Sequence, residues 1–421
     1  MRTEWPKKPL SELCLVFTDG DWIETKDQAS AGVRLVQTGN IGNGTFKDRL
    51  DKARFISPET FTRRKCEEVL PGDCLVSRLP DPVGRACIVP GTGKKMITAV
   101  DCTIMRFDET KIAPQFFIYY TQSKEYLNQI ERFCTGATRK RISRKNLGKV
   151  EVVLPPISNQ RRIVAILDEA FAGIDAAIAN TEKNLANARE LFESYLSSVF
   201  SSAPLHWRKS ALSDICSIKH GFAFKSEYFS DAGPFIVLTP GSFYESGGFR
   251  DQGRKTKFYI GDPPAEYILS KDDFLIAMTE QAAGLLGSSL VVPESRRFLH
   301  NQRLGLVVVR DGVDWHNDFF FHQFNTHGFR SAVQETASGV KVRHTSPGKL
   351  GAIQVFVPSY SEQVEIGEKL NMLLSEVRKL ESLGKQKLES LTELKKSLLQ
   401  KAFSGELTDD LAEKELDEAV A

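Results

Sequence analysis

The sequence predicts an α+β protein built twice over. Two similar mixed domains are separated by two long helices that form an antiparallel coiled coil, with a pseudo-twofold internal repeat. Three observations carry this expectation. Residues 136–155, GATRKRISRKNLGKVEVVLP, recur at an offset of 203 as residues 339–358, GVKVRHTSPGKLGAIQVFVP. Residues 159–201 and 361–403, which follow the two copies, contain no proline, and their apolar positions step by three and four. The stretches before the copies hold short apolar runs bounded by Gly, Pro and Asp.

The duplication extends well beyond the first block. Gly136, Ser143, Leu147, Gly148, Val152 and Pro155 recur as Gly339, Ser346, Leu350, Gly351, Val355 and Pro358, and Ser158 and Gln160 as Ser361 and Gln363. Farther on, Glu190, Leu191, Ser194, Leu196, Phe200 and Ser201 recur in ELKKSLLQKAFS, residues 393–404. Trp5 and Leu10-Ser11 find Trp207 and Leu212-Ser213 at an offset of 202. Between these blocks the halves diverge, as expected of two readers with one frame and different surfaces.

The chain divides into a mixed domain over 1–156, a spacer helix over 157–203, a second mixed domain over 204–358, a second spacer helix over 359–405 and an acidic tail over 406–421. Cys74–Ser77, Ala86–Val89, Phe274–Ala277 and Leu306–Val309 read as strands. Residues 114–131 and 317–335 read as helices. Each long helix starts after a proline, with Ser158 or Ser361 placed as N-cap. The first stripe runs through Ile163, Leu167, Ile174, Leu185, Phe192 and Val199, and the second through Ile366, Leu370, Val377, Leu380, Leu388 and Leu394. This is coiled-coil spacing. Gly384 falls mid-helix and should weaken it by ~1 kcal/mol relative to Ala. A helix of about 43 residues runs roughly 65 Å, too far to bury its stripe on a domain of ~150 residues. The economical partner is the other long helix, which gives a dumbbell.

Composition excludes several classes. The apolar content of 41% and charged content of 26% are those of a soluble globular protein. No run approaches the ~18–20 apolar residues of a membrane span, and the start lacks an apolar signal region. The cytoplasm is the default compartment. Seven cysteines with no C-x-x-C pair argue for reduced, mostly buried thiols. Net charge is only +2, so any nucleic-acid surface must be local.

The strongest local basic signal precedes the first long helix. Thr138, Arg139, Lys140, Arg141, Ser143, Arg144 and Lys145 lie in a loop with no acidic residue and offer contacts to phosphates and base edges. The second half offers Lys341, Arg343, His344 and Ser346 there. A second candidate cluster holds Trp22, Lys26, Gln37, Thr38 and Asn40 beside Gly-rich turns, matched in the second half by Lys225 and Thr239. Arg78 completes the set of candidate DNA contacts.

The order of these parts resembles the specificity subunit of Type I restriction-modification enzymes over nearly the whole chain. The residues that carry the resemblance are Gly136-Ala-Thr138, Val152-Val-Leu-Pro-Pro156, Ser158-x-Gln160 and Phe403-Ser-Gly-Glu-Leu407. Gly20-Asp-Trp-Ile-Glu-x-Lys-Asp-Gln28, Gln37-Thr-Gly-Asn-Ile-Gly42 and Pro80-Asp-Pro-Val-Gly-Arg85 are similar to one recurring type of target-recognition domain. The second loop departs from the pattern, reading Gly339-Val-Lys341 without the Thr. The resemblance implies two target-recognition domains that bind a split double-stranded DNA sequence. It also implies helices that dock two modification (methyltransferase) subunits, and restriction or translocase subunits that can join. The chain itself would be non-catalytic and bind no cofactor, with S-adenosylmethionine held by the modification subunits.

Rival readings are a stand-alone nuclease or methyltransferase, or a structural coiled-coil protein without nucleic acid. Asp262-Pro-Pro-Ala265 lacks the aromatic of a methyltransferase motif, and Gly91-Thr-Gly-Lys-Lys95 lacks most of a P-loop and reads as a hairpin turn. Pro80-Asp81 with Glu109-Thr-Lys111 mimics a nuclease metal site. All seven histidines lie in the second half, where His322 takes the place of Tyr119 and reads as an exposed or edge-packed helix residue.

Overall fold

The computed structural model of the chain describes residues 5–136, 138–281 and 284–407. The amino-terminal tetrapeptide, Ala137 of the Gly136–Thr138 motif, and the acidic tail beyond residue 407 lie outside the described residues. The chain forms two compact units, one of residues 1–181 with 386–421 and one of residues 182–385.

The first unit contains two four-stranded sheets. In one, the strands run in the order Cys14–Asp19, Cys102–Phe107, Cys74–Ser77, Ala86–Ile88, all antiparallel. Cys74-Leu-Val-Ser77 is buried at every position because it is a central strand covered on both faces. In the other, Gln28–Ala29, Arg54–Ile56, Val33–Val36 and Met96–Thr98 lie side by side, the last pair parallel. The connector Gly91–Lys95 therefore joins strands of two different sheets and is not a hairpin turn. The second unit repeats this topology: Cys216–His220, Leu304–Val309, Phe274–Ala277 and Ser289–Val291 in one sheet, and Phe229–Ser230, Phe258–Tyr259, Phe235–Leu238 and Phe298–His300 in the other.

The expected helices over 114–131 and 317–335 are each broken in two. Pro114–Tyr120 is followed by Lys124–Phe133, and Asn317–Phe324 by His327–Glu335. Each second helix has its own N-cap, which ends the first: the Ser123 hydroxyl accepts from Tyr126 N at 3.2 Å, and Thr326 accepts from Phe329 N at 3.2 Å.

The long helices run over Ile157–Ser201 and Tyr360–Ser404. Ser158 and Ser361 therefore sit inside the first turn and are not N-caps. The residues that fix the two starts are Gln160 and Gln363. Gln160 donates from Nε2 to Pro155 O at 2.9 Å and Lys111 O at 3.0 Å, and its Oε1 accepts from Ala113 N at 2.9 Å. Gln363 repeats the arrangement with Pro358 O at 3.0 Å, Asp314 O at 3.2 Å and His316 N at 2.8 Å. Each fully buried carboxamide ties a helix start to the loop before a short helix, and both its oxygen and its nitrogen have partners.

The helices pair antiparallel within each unit. In the first, Ile163 and Leu167 share a core with Leu399, Ala402 and Phe403, while Asp175 pairs with Lys395. In the second, Leu185 meets Gly384, Arg189 pairs with Glu381, and Lys369 lies over the Tyr195 ring at 5.3 Å. Gly384 is a contact point rather than a mere weak spot: an added Cβ would come within 2.7 Å of the Leu185 side chain. Leu380 and Leu394, expected in the stripe, are exposed, because Gly384, Leu388, Leu391 and Leu398 take the inward positions.

His322 is the clearest correction. It is buried, not exposed or at an edge; its Nε2–H donates to Asn371 Oδ1 at 2.7 Å, and its ring meets Phe192 edge-on at 6.2 Å. The first unit places Tyr119 and Asp168 at the matching positions, and the Tyr119 hydroxyl donates to the Asp168 carboxylate. The duplication has exchanged both partners of one buried hydrogen bond.

Candidate nucleic-acid interface

In the first unit the basic loop is a strap closed by backbone hydrogen bonds. Thr135 N donates to Arg141 O and Arg141 N to Thr135 O, both at 2.9 Å. Gly136 has φ +100°, and a Cβ there would meet Arg139 O at 2.5 Å, so only glycine fits the turn. Thr138, Arg139, Lys140 and Lys145 are exposed. Lys140 is ion-paired with Glu131, whose hydrogen bond raises the ammonium pKa. Ser143 caps the short helix Arg144–Leu147, accepting from Asn146 N at 3.1 Å.

The strap leans on Arg78 through Ile142 N, which donates to Arg78 O at 3.2 Å. Two aspartates then hold three arginines. Asp101 lies 2.8 Å from Arg141 and 4.0 Å from Arg78; Asp19 lies 3.4 Å from Arg78 and 3.9 Å from Arg144. Arg78 is buried, which pulls its guanidinium pKa down, while Arg141 and Arg144 are exposed. An open cavity of about 690 Å³ is lined by Phe17, Asp19, Arg78, Ser143, Arg144 and Lys145. Half-exposed ion pairs of this kind are worth ~0–1 kcal/mol.

The second cluster separates into two kinds of residue. Trp22 is 65% exposed, and Lys26 is exposed beside Glu24 at 2.7 Å, whose hydrogen bond raises the ammonium pKa. Asn40, in contrast, is buried. Its Oδ1 accepts from Gln37 N and its Nδ2 donates to Lys47 O, each at 2.9 Å, so it shapes the loop that presents Gln37 and Thr38.

In the second unit the strap is closed by Ser338 and His344, with Gly339 at φ +97°. Lys341 and His344 are exposed, and Val340 at the tip is almost wholly so. Ser346 caps Pro347–Gly351, accepting from Lys349 N at 3.4 Å. Arg343 is held by Gln334 and lies 3.6 Å from the buried Glu280. Lys225 is exposed 3.7 Å from Glu227, and Thr239 shapes a turn with Ser242 as Gln37 does with Asn40.

The structure adds Arg303 and His220 to this surface. Met278 N donates to Arg303 O and Thr345 N to Met278 O, both at 3.0 Å, which sets Arg303 beside the strap; His220 pairs with Gly305 next to it. Both side chains are exposed. The offset of 202 pairs Arg303 with Asp101, a charge reversal that composition could not reveal.

The nuclease-like residues are not brought together. Ser77 pairs with Cys102, so Asp81 follows the end of the strand nearest Cys102, whereas Glu109 follows Phe107 at the far end. Among the described residues no group of three or more His, Cys, Asp or Glu could hold a metal ion, and no helix is long and apolar enough to cross a membrane.

Comparison with known proteins completes the picture. The family model for the Type I restriction modification DNA specificity domain matches residues 2–186 and again 204–390. The EcoBI Type I restriction enzyme specificity subunit of Escherichia coli is 27% identical over 230 residues, a match that spans 53% of this chain and 44% of that protein. The StySPI specificity subunit of Salmonella potsdam is 21% identical over 408 residues, 89% of this chain and 82% of that one. A chain in a solved structure of a type I restriction-modification system superposes with a TM-score of 0.75 at 17% identity, covering 95% of this chain and 98% of that chain, a likeness of fold.

Proposed function

This chain belongs to the family of Type I restriction modification DNA specificity domains, and we propose that its two units each read one half of a split double-stranded DNA target. It is a specificity subunit, a DNA-recognition component rather than a catalyst. In this reading, residues 1–156 and 204–358 are the recognition domains, and the long helices set the spacing between the half-sites. The observation that carries it is the repeated strap. Gly136 and Gly339 make the same turn, Ser143 and Ser346 the same cap, and the residues between them differ. One frame with two different polar tips suits two readers of two sequences.

The arginine and aspartate array suggests how the first unit binds. Unbound, Asp101 and Asp19 hold Arg141 and Arg144 near their working positions; bound, DNA phosphates take their place. Asp101→Asn should therefore raise affinity for duplexes of any sequence and steepen its salt dependence, because Arg141 meets the phosphate without a competitor. Arg141→Ala should do the reverse. Fluorescence anisotropy of labelled duplexes across a salt series measures both. Weaker binding by Asp101→Asn would reject the exchange.

We further assign the outer faces of the helices to two modification subunits, which supply S-adenosylmethionine and the methyl-transfer chemistry in the cytoplasm, with restriction or translocase subunits able to join. Leu191 and Leu394 support this. They occupy equivalent positions of the repeat and are 73% and 46% exposed, so both copies present a leucine to the surface at the same place. Leu191→Glu or Leu394→Glu should each cost the assembly one modification subunit, and the double change both. Native mass spectrometry counts the subunits; full assembly by the double variant contradicts the assignment.

A further inference from the structure

Two arginines, Arg85 buried and Arg330 half-buried, stand out because no carboxylate oxygen among the described residues lies within ion-pair distance of either. Arg85 donates from Nε to Ile41 O at 2.7 Å, from Nη1 to Leu79 O at 2.8 Å and Pro82 O at 3.0 Å, and from Nη2 to Thr38 O at 2.8 Å. Four of the five N–H groups that an arginine offers thus go to main-chain carbonyls, two on the loop Gln37–Gly42 and two on the loop between strands Cys74–Ser77 and Ala86–Ile88. In the second unit Arg330 donates from Nε to Leu286 O at 2.9 Å, from Nη1 to Glu245 O at 2.9 Å, and from Nη2 to Gly284 O. It likewise joins the loop after Ser242 to the loop before Ser289. Burial lowers the pKa of both guanidinium groups, that of Arg330 to about 10.

Burying a cation without an anion is costly, and main-chain dipoles recover only part of the cost. A hydrophobic side chain would fill the same space more cheaply but could not fix two loops to each other. The two arginines also come from different places in the fold. The residue matching Arg85 is Ser288, whose hydroxyl still donates to Tyr244 O of the same loop at 2.7 Å, and the residue matching Arg330 is Leu127. Each unit has reached the same cross-brace by its own route.

We propose that Arg85 and Arg330 are positioning residues that lock two DNA-reading loops of their unit together, so that each sets base preference in one half-site without touching DNA. This rests on the reading of those loops as part of the DNA interface.

The test uses the full chain and a pool of duplex DNA with randomised bases, with bound duplexes selected and sequenced. Arg85→Met should flatten base preference in one half-site by about tenfold or more, leave the other half-site intact, and lower the melting temperature little. Arg330→Met should flatten the opposite half-site. Arg85→Lys, which keeps the charge but cannot reach both loops, should resemble Arg85→Met. Loss of both half-sites together with a lower melting temperature would mean a merely structural role and would overturn the proposal. So would an unchanged preference in Arg85→Met when Gln37→Ala flattens the half-site, which leaves the loop reading standing. If Gln37→Ala and Arg85→Met are both silent, the loop reading fails and takes the proposal with it.

Discussion

Replacing residues 205–358 by the corresponding domain of a relative should leave one half of the recognised DNA site unchanged and replace the other. The joins fall at Pro204 and Pro358, each at the edge of a long helix. The graft is constrained by what the helices contribute to the core of the second unit. Leu196, Phe200 and Leu370 pack with Trp207, Phe319 and Val355; Phe200 meets Phe319 at 5.4 Å, and Trp207 meets Phe319 at 5.8 Å. A donor domain must keep a tryptophan and a phenylalanine at those two places, or the interface opens a cavity costing about 3–5 kcal/mol. It must also supply a backbone N–H for Gln363 Oε1, as His316 does here. The strap from Ser338 to Ser346 travels with the graft and, on the proposed reading, should bring the new half-site with it. Methylation sequencing of a host expressing the hybrid with its modification subunits reads the outcome. If both halves of the site change together, or neither does, the two units are not independent readers.

Much of the architecture was legible in the sequence because the repeat could be read against itself. Pro155 and Pro358, Gln160 and Gln363, and the 3-4 stripes locate the helices and their pairing, since each reflects backbone geometry and burial that any copy must satisfy. The strap glycines stand out for the same reason, but the capping serines do not: Ser158 and Ser361, expected as N-caps, lie inside the first turn, while Ser143 and Ser346, expected as DNA contacts, cap the short helices. What escaped was set by tertiary neighbours. Leu394 lies three residues from Leu391 and four from Leu398 on a run of leucines, and only the packing shows that those two face inward while Leu394 faces out. Gly384 looks like a flaw until Leu185 is placed against it. Asn40 looks like a base reader by type, yet its carboxamide is enclosed by the turn that it makes. Arg303 escaped because its neighbours Met278 and Thr345 are distant in sequence, and His322 because its partner Asn371 lies 49 residues away.

The same histidines lead to a strong expectation about acid. Every histidine of the chain lies between His206 and His344, inside the second unit, and the first unit has none. Two of them are buried and neutral, and burial pulls each pKa from 6.5 down to about 4. His300 donates from Nε2 to Leu304 O at 2.9 Å, and its Nδ1 is enclosed without a partner. Protonation there would create a buried N–H and a charge with nowhere to go. His322 uses Nε2–H for Asn371 and lies against Phe192. The folded-state pKa is depressed, so the unfolded chain binds protons that the folded one refuses. The associated stability is fully present above pH 6.5 and is lost as the pH falls toward 4. A pKa unit corresponds to about 1.4 kcal/mol, so each histidine has lost on the order of 3 kcal/mol by the low end of that window. Much of the window lies above the ordinary carboxylate range, so its upper part separates the two causes. The second unit should therefore melt at progressively lower temperature between pH 6.5 and 5, while the first changes little, as followed by hydrogen exchange of the two units in the full chain. The double change His322→Tyr with Asn371→Asp copies the Tyr119–Asp168 pair of the first unit and should remove about half of the acid loss. Earlier loss of protection in the first unit, or an unaltered acid loss in the double variant, would show that these histidines do not govern it.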